Sequence, residues 1–518
     1  MFSIGKKGFF GQSLEAKIFA AIIVLALFAR IFVLFALPDT ALTDSMYHLS
    51  ITKYIVENHA LPFYGIPEAG VVGMPVPLFH ILTAGFFVLF QLPVTLAFAK
   101  VFPAIFSFLQ LLLSFLILRK LFPKNWVFGF AFVAISPLLV IFGAVNYLET
   151  LASVTVLLCF FVYWCYVETG RKIFLVAMPL ALMLLAISKE NATVLVPVFF
   201  VFFLYEIIRK MPSKGLGRIA WTAGFAIASV LLCSAWFAVN FAATGSLGSA
   251  FAAGAGSMAA VLQVPVGFES IFFYPLNFNS GFWFFLPQGF ESAPFGISQE
   301  LAFAAFTLVS FPVLMLVFFG LAKGLLAGKE PRFKAFLLLG LCLAVSLGVL
   351  FLRGQRFVHG RMLLPVLPLL GIAFSCAFAE IKSANWKRFL AAVFMLFALY
   401  SAAFSSLYAM HFNEDYNSHA PLYQFVKELP EGSIVAIHAN KVRQIESISG
   451  KETVPYPKFA GLEPNQLYSK LVELNVTHLA ETCYKNPWDK VILDELESQG
   501  LIAIVFSDSC STLYDVKR

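Results

Sequence analysis

Apolar runs of about 20 residues, broken by short clusters of lysine and arginine, recur from residue 17 to residue 408. Such a chain has few options. In hydrocarbon every backbone N–H and C=O must be paired inside the segment, so each run is expected to be a helix. Composition agrees: 60% of the 518 residues are apolar and 13% charged, against about 45–50% and 25% in ordinary soluble domains. The 61 phenylalanines suit lipid-facing and interhelical packing, which needs no water-driven amphipathic pattern. The net charge of +7 does not describe a nucleic-acid surface, because the basic residues lie between the apolar runs, where topology signals are found. No small-residue cleavage site follows the first run, which reads as a retained span.

Positive clusters should share one side of the membrane, and this fixes which runs cross. The clusters are Lys6-Lys7, Arg119-Lys120 with Lys124, Arg171-Lys172, Arg209-Lys210 with Lys214 and Arg218, Lys323 to Lys334, and Lys382 with Lys387-Arg388. All are cytoplasmic only if Val76 to Leu92 does not cross, so that run is expected to be a juxtamembrane or re-entrant helix. The spans are then 17–37, 97–118, 126–144, 149–167, 173–188, 192–208, 219–243, 301–322, 335–352, 361–381 and 388–408, about eleven by the length rule. The N-terminus is expected inside. The outer face receives loop 38–96, the turn at Asn146 to Glu149, the turn Ser188-Lys189-Glu190-Asn191, loop 244–300, Arg353 to Gly360 and everything after Tyr408. Loop 244–300 has glutamates and many aromatic residues but no Lys or Arg, as expected of a segment lying on the interface.

Beyond residue 408 the composition turns charged and mixed. Helix-like runs (Leu422 to Leu429, Asn465 to Leu474, Val491 to Gln499) alternate with strand-like ones (Ser433 to His438, Thr477 to Ala480, Leu501 to Phe506), predicting a small α/β domain. The expected architecture is therefore a polytopic α-helical membrane domain over 1–408 and an extracytoplasmic α/β domain over 409–518. Five cysteines lie in apolar spans; Cys483 and Cys510 each follow a predicted strand, so a disulfide between them is a candidate in an oxidising compartment. Metal-binding Cys-x-x-Cys spacing is absent and the eight histidines are scattered.

Under this topology Asp44, Lys100, Glu149, Lys189, Glu190, His359 and Arg361 gather at one membrane level. Carboxylates and cations brought together there must pair or bind something, because their desolvation is otherwise costly. The centres of the spans carry almost no charge, which disfavours the alternative reading of a lipid or solute transporter or flippase, whose coupling groups sit near the midplane.

Six segments occur in an order that carries a resemblance: Asp44-Ser45-Met46-Tyr47, Met74-Pro75-Val76-Pro77-Leu78-Phe79-His80, Ala97-Phe98-Ala99-Lys100, Asn146-Tyr147-Leu148-Glu149, Ile187-Ser188-Lys189-Glu190 and Arg361-Met362-Leu363-Leu364-Pro365. Over residues 15–410 the chain resembles the polyprenyl-phosphate-sugar-dependent glycosyltransferases of the GT-C fold, especially the protein mannosyltransferase and aminoarabinose transferase group. Asp44 is followed by Ser45 rather than the paired acids typical of protein mannosyltransferases, so that group's substrate is not carried over; the Trp-Trp-Asp signature of oligosaccharyltransferases is absent, with Pro487-Trp488-Asp489 only a partial echo, so transfer of an oligosaccharide en bloc to Asn is not expected.

The resemblance implies inverting transfer of a hexosyl or pentosyl unit from a polyprenyl (dolichyl-type) monophosphate to a protein, lipid or glycan acceptor on the extracytoplasmic side. Asp44 is then the expected base and Glu149 the second catalytic carboxylate. Arg361, Lys189 and Lys100 hold the donor phosphate, and Tyr47, Glu190 and His359 line the acceptor side. No cofactor is required; Asp44 and Glu149 are the ligands if a divalent ion is used. Membrane lipids are partners, and nucleic acid is not.

Overall fold

The computed structural model describes residues 14–37, 43–66, 76–210, 216–245, 299–327, 332–352, 363–437, 442–455, 459, 461–482 and 490–517. They form two compact units, Met1–Phe35 with Ile51–Tyr408 and Ala36–Ser50 with Ala409–Arg518. The second unit thus takes in a piece of the first predicted loop, which composition does not foreshadow.

The first unit is helical. Each expected span carries a helix or a broken pair of helices, and six helices among the described residues are long and apolar enough to cross a membrane. Outward-facing Val24, Phe28 and Phe35 are 67%, 67% and 82% exposed, so the large side chains of the first helix, Leu14–Ala36, face lipid rather than water. Glu149–Thr169 is the innermost span, with 89% of its apolar window buried.

The bundle has two chemically different ends. At one, Lys120 pairs with Glu168 at 2.7 Å, Lys210 Nζ donates to the carbonyls of Tyr166 and Val167, Arg332 lies 5.3 Å from the Phe122 ring, and Lys334 and Arg209 both bind fully buried Glu206. Three of the basic clusters therefore meet at this end, as the charge pattern predicts. At the other end, Leu78 N donates to Ile187 O at 3.2 Å, and Ser153 Oγ donates to Leu364 O at 2.5 Å. Phe63 stacks on Trp236 there, with ring centroids 5.7 Å apart.

The run Val76 to Leu92 folds as Leu78–Phe90, 13 residues long. At 1.5 Å per residue it spans about 20 Å, short of the ~30 Å hydrocarbon core. Phe86, two turns along it, still meets Phe102 edge-on at 5.0 Å, and Phe102 lies in the first turn of Val101–Leu121. The short helix therefore stays beside the end where it begins.

One charge inside a span has no partner that the sequence reveals. Arg30 lies within the first span yet is only 5% exposed. Its guanidinium donates to the carbonyls of Ala134 and Val133 and, through Nε, to Ser107 Oγ at 3.2 Å. Pro137 explains the need: it lacks the N–H that would have paired with the Val133 carbonyl, and the helix Trp126–Ile135 stops there before Pro137–Phe142 resumes. Arg30 satisfies carbonyls freed by the break, so this charge is structural.

Small residues set the helix spacing. Gly129 N donates to Ser375 Oγ at 3.0 Å, and a methyl at Gly129 would overlap the Gly371 carbonyl. The backbones of Trp126–Ile135 and Leu370–Glu380 touch there, which only glycine permits.

In the second unit a five-stranded sheet is built from β1 (Ile434–Ile437), β2 (Glu452–Pro455), β3 (His478–Thr482), β4 (Ile502–Ser507) and β5 (Ser511–Val516), in the order β2-β1-β3-β5-β4. β2, β1 and β3 run parallel; β5 is antiparallel to both β3 and β4. Both faces are covered. Ala436, Leu479 and Tyr514 pack with Leu467, Leu471, Leu493 and Leu496 on one side, while Val435, Ala480 and Leu513 pack with Leu422, Tyr423 and Val426 on the other. Cys510, just before β5, is disulfide-bonded; Cys483, its expected partner, lies outside the described residues.

Overpacking a tight contact costs about 1–3 kcal/mol. Gly129→Ala is therefore expected to lower the melting temperature in detergent, whereas Gly85→Ala, where nothing lies within 4 Å of the added methyl, is expected to leave it unchanged. Equal melting of the two variants would contradict the close approach.

Candidate active site

Glu149 opens the innermost helix. As the first residue of Glu149–Thr169 it sits where the helix dipole favours a negative charge, and it is 2% exposed. A carboxylate so enclosed needs a cation. Lys189 supplies it: its Nζ pairs with Glu149 Oε1, and the lysine side chain is 12% exposed. Lys189 is extended, at φ −166° and ψ 144°, and caps the one-turn helix Glu190–Thr193, so the backbone turns sharply between the preceding span and the following one.

A hydroxyl network holds this turn against the innermost helix. Thr155 Oγ1 donates to Ser188 Oγ at 3.2 Å, Ser188 Oγ donates to Leu185 O at 2.9 Å, and Thr193 Oγ1 donates to Ala186 O at 2.8 Å. Thr150 Oγ1 donates to Phe142 O at 2.8 Å, tying the helix start to the chain before it. Beneath these polar contacts Phe79, Phe106, Leu148 and Leu151 form an apolar floor against which Ile187 packs. The floor joins four chain segments, three of them among the six that carry the family resemblance.

Lys100 caps the head of Val101–Leu121, and Phe106 from that helix reaches the floor. Its side chain is 8% exposed and has partners of its own. Glu190 follows Lys189 and is half-buried. Asp44 is the second residue of the helix Thr43–Asn58 and belongs by its contacts to the second unit. Tyr47, one turn on, is half-buried and meets the His48 ring edge-on at 5.4 Å. Arg361 and His359 lie outside the described residues, although Leu364, three residues beyond Arg361, accepts from Ser153.

Within the first unit, then, Glu149 and Lys189 are brought together directly, with Lys100 at the same end. Sequence reasoning passed over His80, which is 2% exposed at the start of Leu78–Phe90, and over the hydroxyls of Thr150, Ser153 and Thr155. A signal was available for the hydroxyls: three in the first seven residues of a span that must be buried all need partners.

As a metal ligand, Glu149 is compromised: the Lys189 ammonium already occupies one of its oxygens, leaving one for a cation. Among the described residues no group of three or more His, Cys, Asp or Glu gathers. What the pair offers instead is an ammonium, fixed at one point by a buried carboxylate, with further N–H donors to give to an anion.

No family model matches the chain, and no curated protein matches it in sequence. Solved structures do. The chain superposes on ArnT from Cupriavidus metallidurans in the apo state with a TM-score of 0.59 at 12% identity, over 96% of this chain and 98% of that one. Against the same protein bound to undecaprenyl phosphate the TM-score is 0.57 at 14% identity, over 96% and 97%. The Archaeoglobus fulgidus oligosaccharyltransferase tethered with an acceptor peptide containing the NVT sequon gives 0.54 at 11% identity, over 90% and 69%. These are membrane proteins of the GT-C fold, and this chain has that fold.

Removing one member of a buried ion pair costs more than removing both, because a lone charge stays behind. Glu149→Gln and Lys189→Met are each expected to destabilise by about 3 kcal/mol. The double variant should lose clearly less than their sum in a thermal-melting cycle; strict additivity would show that the two side chains do not interact.

Proposed function

We propose that this chain is an integral membrane glycosyltransferase that moves one sugar, with inversion, from a polyprenyl monophosphate donor to an acceptor at the end of the bundle holding Glu149 and Lys189. The Glu149–Lys189 pair carries the reading: it is a buried, partly available cation at the head of the innermost helix, in a chain with the fold of a protein crystallised with undecaprenyl phosphate. The expected topology makes this end extracytoplasmic.

In the proposed reaction an acceptor oxygen bonds to the anomeric carbon while the bond from that carbon to the phosphate oxygen breaks. The acceptor's proton passes to Asp44, and the leaving phosphate takes up the electron pair. Lys189, Lys100 and Arg361 offset the charge growing on the phosphate and hold it in line. Glu149 orients Lys189, so that its ammonium is fixed before the donor arrives and little reorganisation accompanies the reaction. Tyr47, Glu190 and His359 line the acceptor side. The three cations supply the neutralisation that a divalent ion would otherwise bring, and the reading requires none.

Asp44→Asn is expected to lower sugar transfer by a factor of about 10² or more, the loss typical of a missing general base. The assay is transfer from a labelled polyprenyl-phosphate sugar in proteoliposomes, with melting and membrane insertion as the wild type. Unchanged turnover would remove Asp44 from the mechanism. Accumulation of substrate in sealed vesicles without product would replace transfer with transport.

A further inference from the structure

The helices Val196–Lys210 and Leu216–Thr244 leave between them a groove of about 560 Å³, within the size range of sites that hold a small ligand. Leu204, Ile208, Ala223 and Ala226 line it, with Arg218 at its rim. The recess exists because two alanines face it where larger residues would fill the space. Ile208 and neighbouring Ile219 are 40% and 66% exposed, so its walls are open to the surroundings of the bundle.

Two features identify what fits. From Arg218 to Ala226 the helix rises about 12 Å, close to the ~15 Å depth of one leaflet of hydrocarbon. Arg218 has no hydrogen-bond or ion-pair partner among the described residues, although its guanidinium offers five donors in the fork that suits phosphate. The groove is thus apolar along its length and positive at its mouth.

It is also remote from the Glu149–Lys189 pair. Lys189 precedes the start of Val196–Lys210, and the groove follows the last turns of that 15-residue helix. The separation along the helix is about 20 Å, and Arg218 lies at the end where the basic clusters meet.

We propose that this groove is a binding site for one acyl chain of an anionic phospholipid, with the lipid phosphate held by Arg218. The site is separate from the proposed donor site and does not depend on it. An anionic headgroup carries a net charge that the guanidinium attracts, whereas a zwitterionic one carries none. The acyl chain fills a recess that would otherwise expose unpacked walls.

Native mass spectrometry of the full chain, released from nanodiscs of phosphatidylglycerol or of phosphatidylcholine, tests this directly. One phosphatidylglycerol is expected to stay bound, roughly fivefold more than phosphatidylcholine. Arg218→Gln should remove that preference. Ala223→Leu with Ala226→Leu, which fills the recess, should reduce retention of both lipids. Lys124→Gln, a change of equal charge at the same end but away from the groove, should leave retention as in the wild type. Equal retention of the two lipids would overturn the proposal. So would loss of the preference in Lys124→Gln equal to that in Arg218→Gln, which would mean diffuse attraction by the basic end. A stable lipid-free dimer from both nanodiscs would show instead that a second copy of the chain covers the face. Circular dichroism of each variant confirms that it is folded before its lipid retention is compared.

Discussion

A carboxylate cannot remain ionised in apolar surroundings unless a cation accompanies it, and Glu149 is 2% exposed at the head of the most enclosed helix. Much of the first unit's site end follows from that requirement. The partner must come from a turn that reaches back over the bundle, so Lys189 is placed in extended backbone between two spans. The turn must itself be held, and the hydroxyls of Ser188, Thr155 and Thr193 do so. The floor below must be apolar and close-packed, and four chain segments converge to make it. Replacing the pair with two apolar residues would relieve the burial problem more simply. That the chain keeps the charges instead is the physical reason to look for an anion there.

The same requirement is met differently elsewhere in the bundle. Arg30 is buried to satisfy carbonyls opened by the break at Pro137, and its bonds all go to backbone or to Ser107. Glu206 is buried between Lys334 and Arg209, where two cations and one carboxylate tie the helix ending at Lys210 to the one beginning at Arg332. In both places the polar partners are protein groups that complete one another. Lys189 differs because a single carboxylate oxygen is its described partner and its side chain retains some exposure.

Much of this was legible in the sequence. Apolar runs locate helices because the backbone has no alternative in hydrocarbon, and the positive clusters mark one end because they follow a single rule. Requiring the clusters to agree identified Val76 to Leu92 as non-crossing, and the Phe86–Phe102 contact bears that out. The order of short motifs pointed to the fold. Other features depend on partners distant in sequence and had no local signature. Nothing in Ala36 to Ser50 indicates grouping with residues beyond 408. Arg30 looks like a misplaced charge until the Pro137 break is seen to face it. In the α/β unit, β2 and the helix Val442–Ser449 were missed because they are short, and β2 ends in proline. β5 was missed because Leu513 and Tyr514 are buried on opposite faces, which erases the alternation that marks a half-buried strand.

Under the two proposals, the ends of the bundle place different demands on lipid. At the Glu149–Lys189 end, a phosphate would have to be held firmly while the bond joining it to a sugar breaks, which calls for a cation fixed in advance by a buried partner. At the basic end, an anionic lipid need only be retained, and a guanidinium on a half-exposed helix face is enough for that. The difference is visible in the cations themselves. Lys189 is locked to a carboxylate inside the protein, while Arg218 stands at the rim of an open groove with no ion-pair partner among the described residues. A fixed charge suits chemistry because it does not have to move as the transition state forms. A loosely held one suits solvation by lipid, where the partner exchanges and geometry matters less than net attraction.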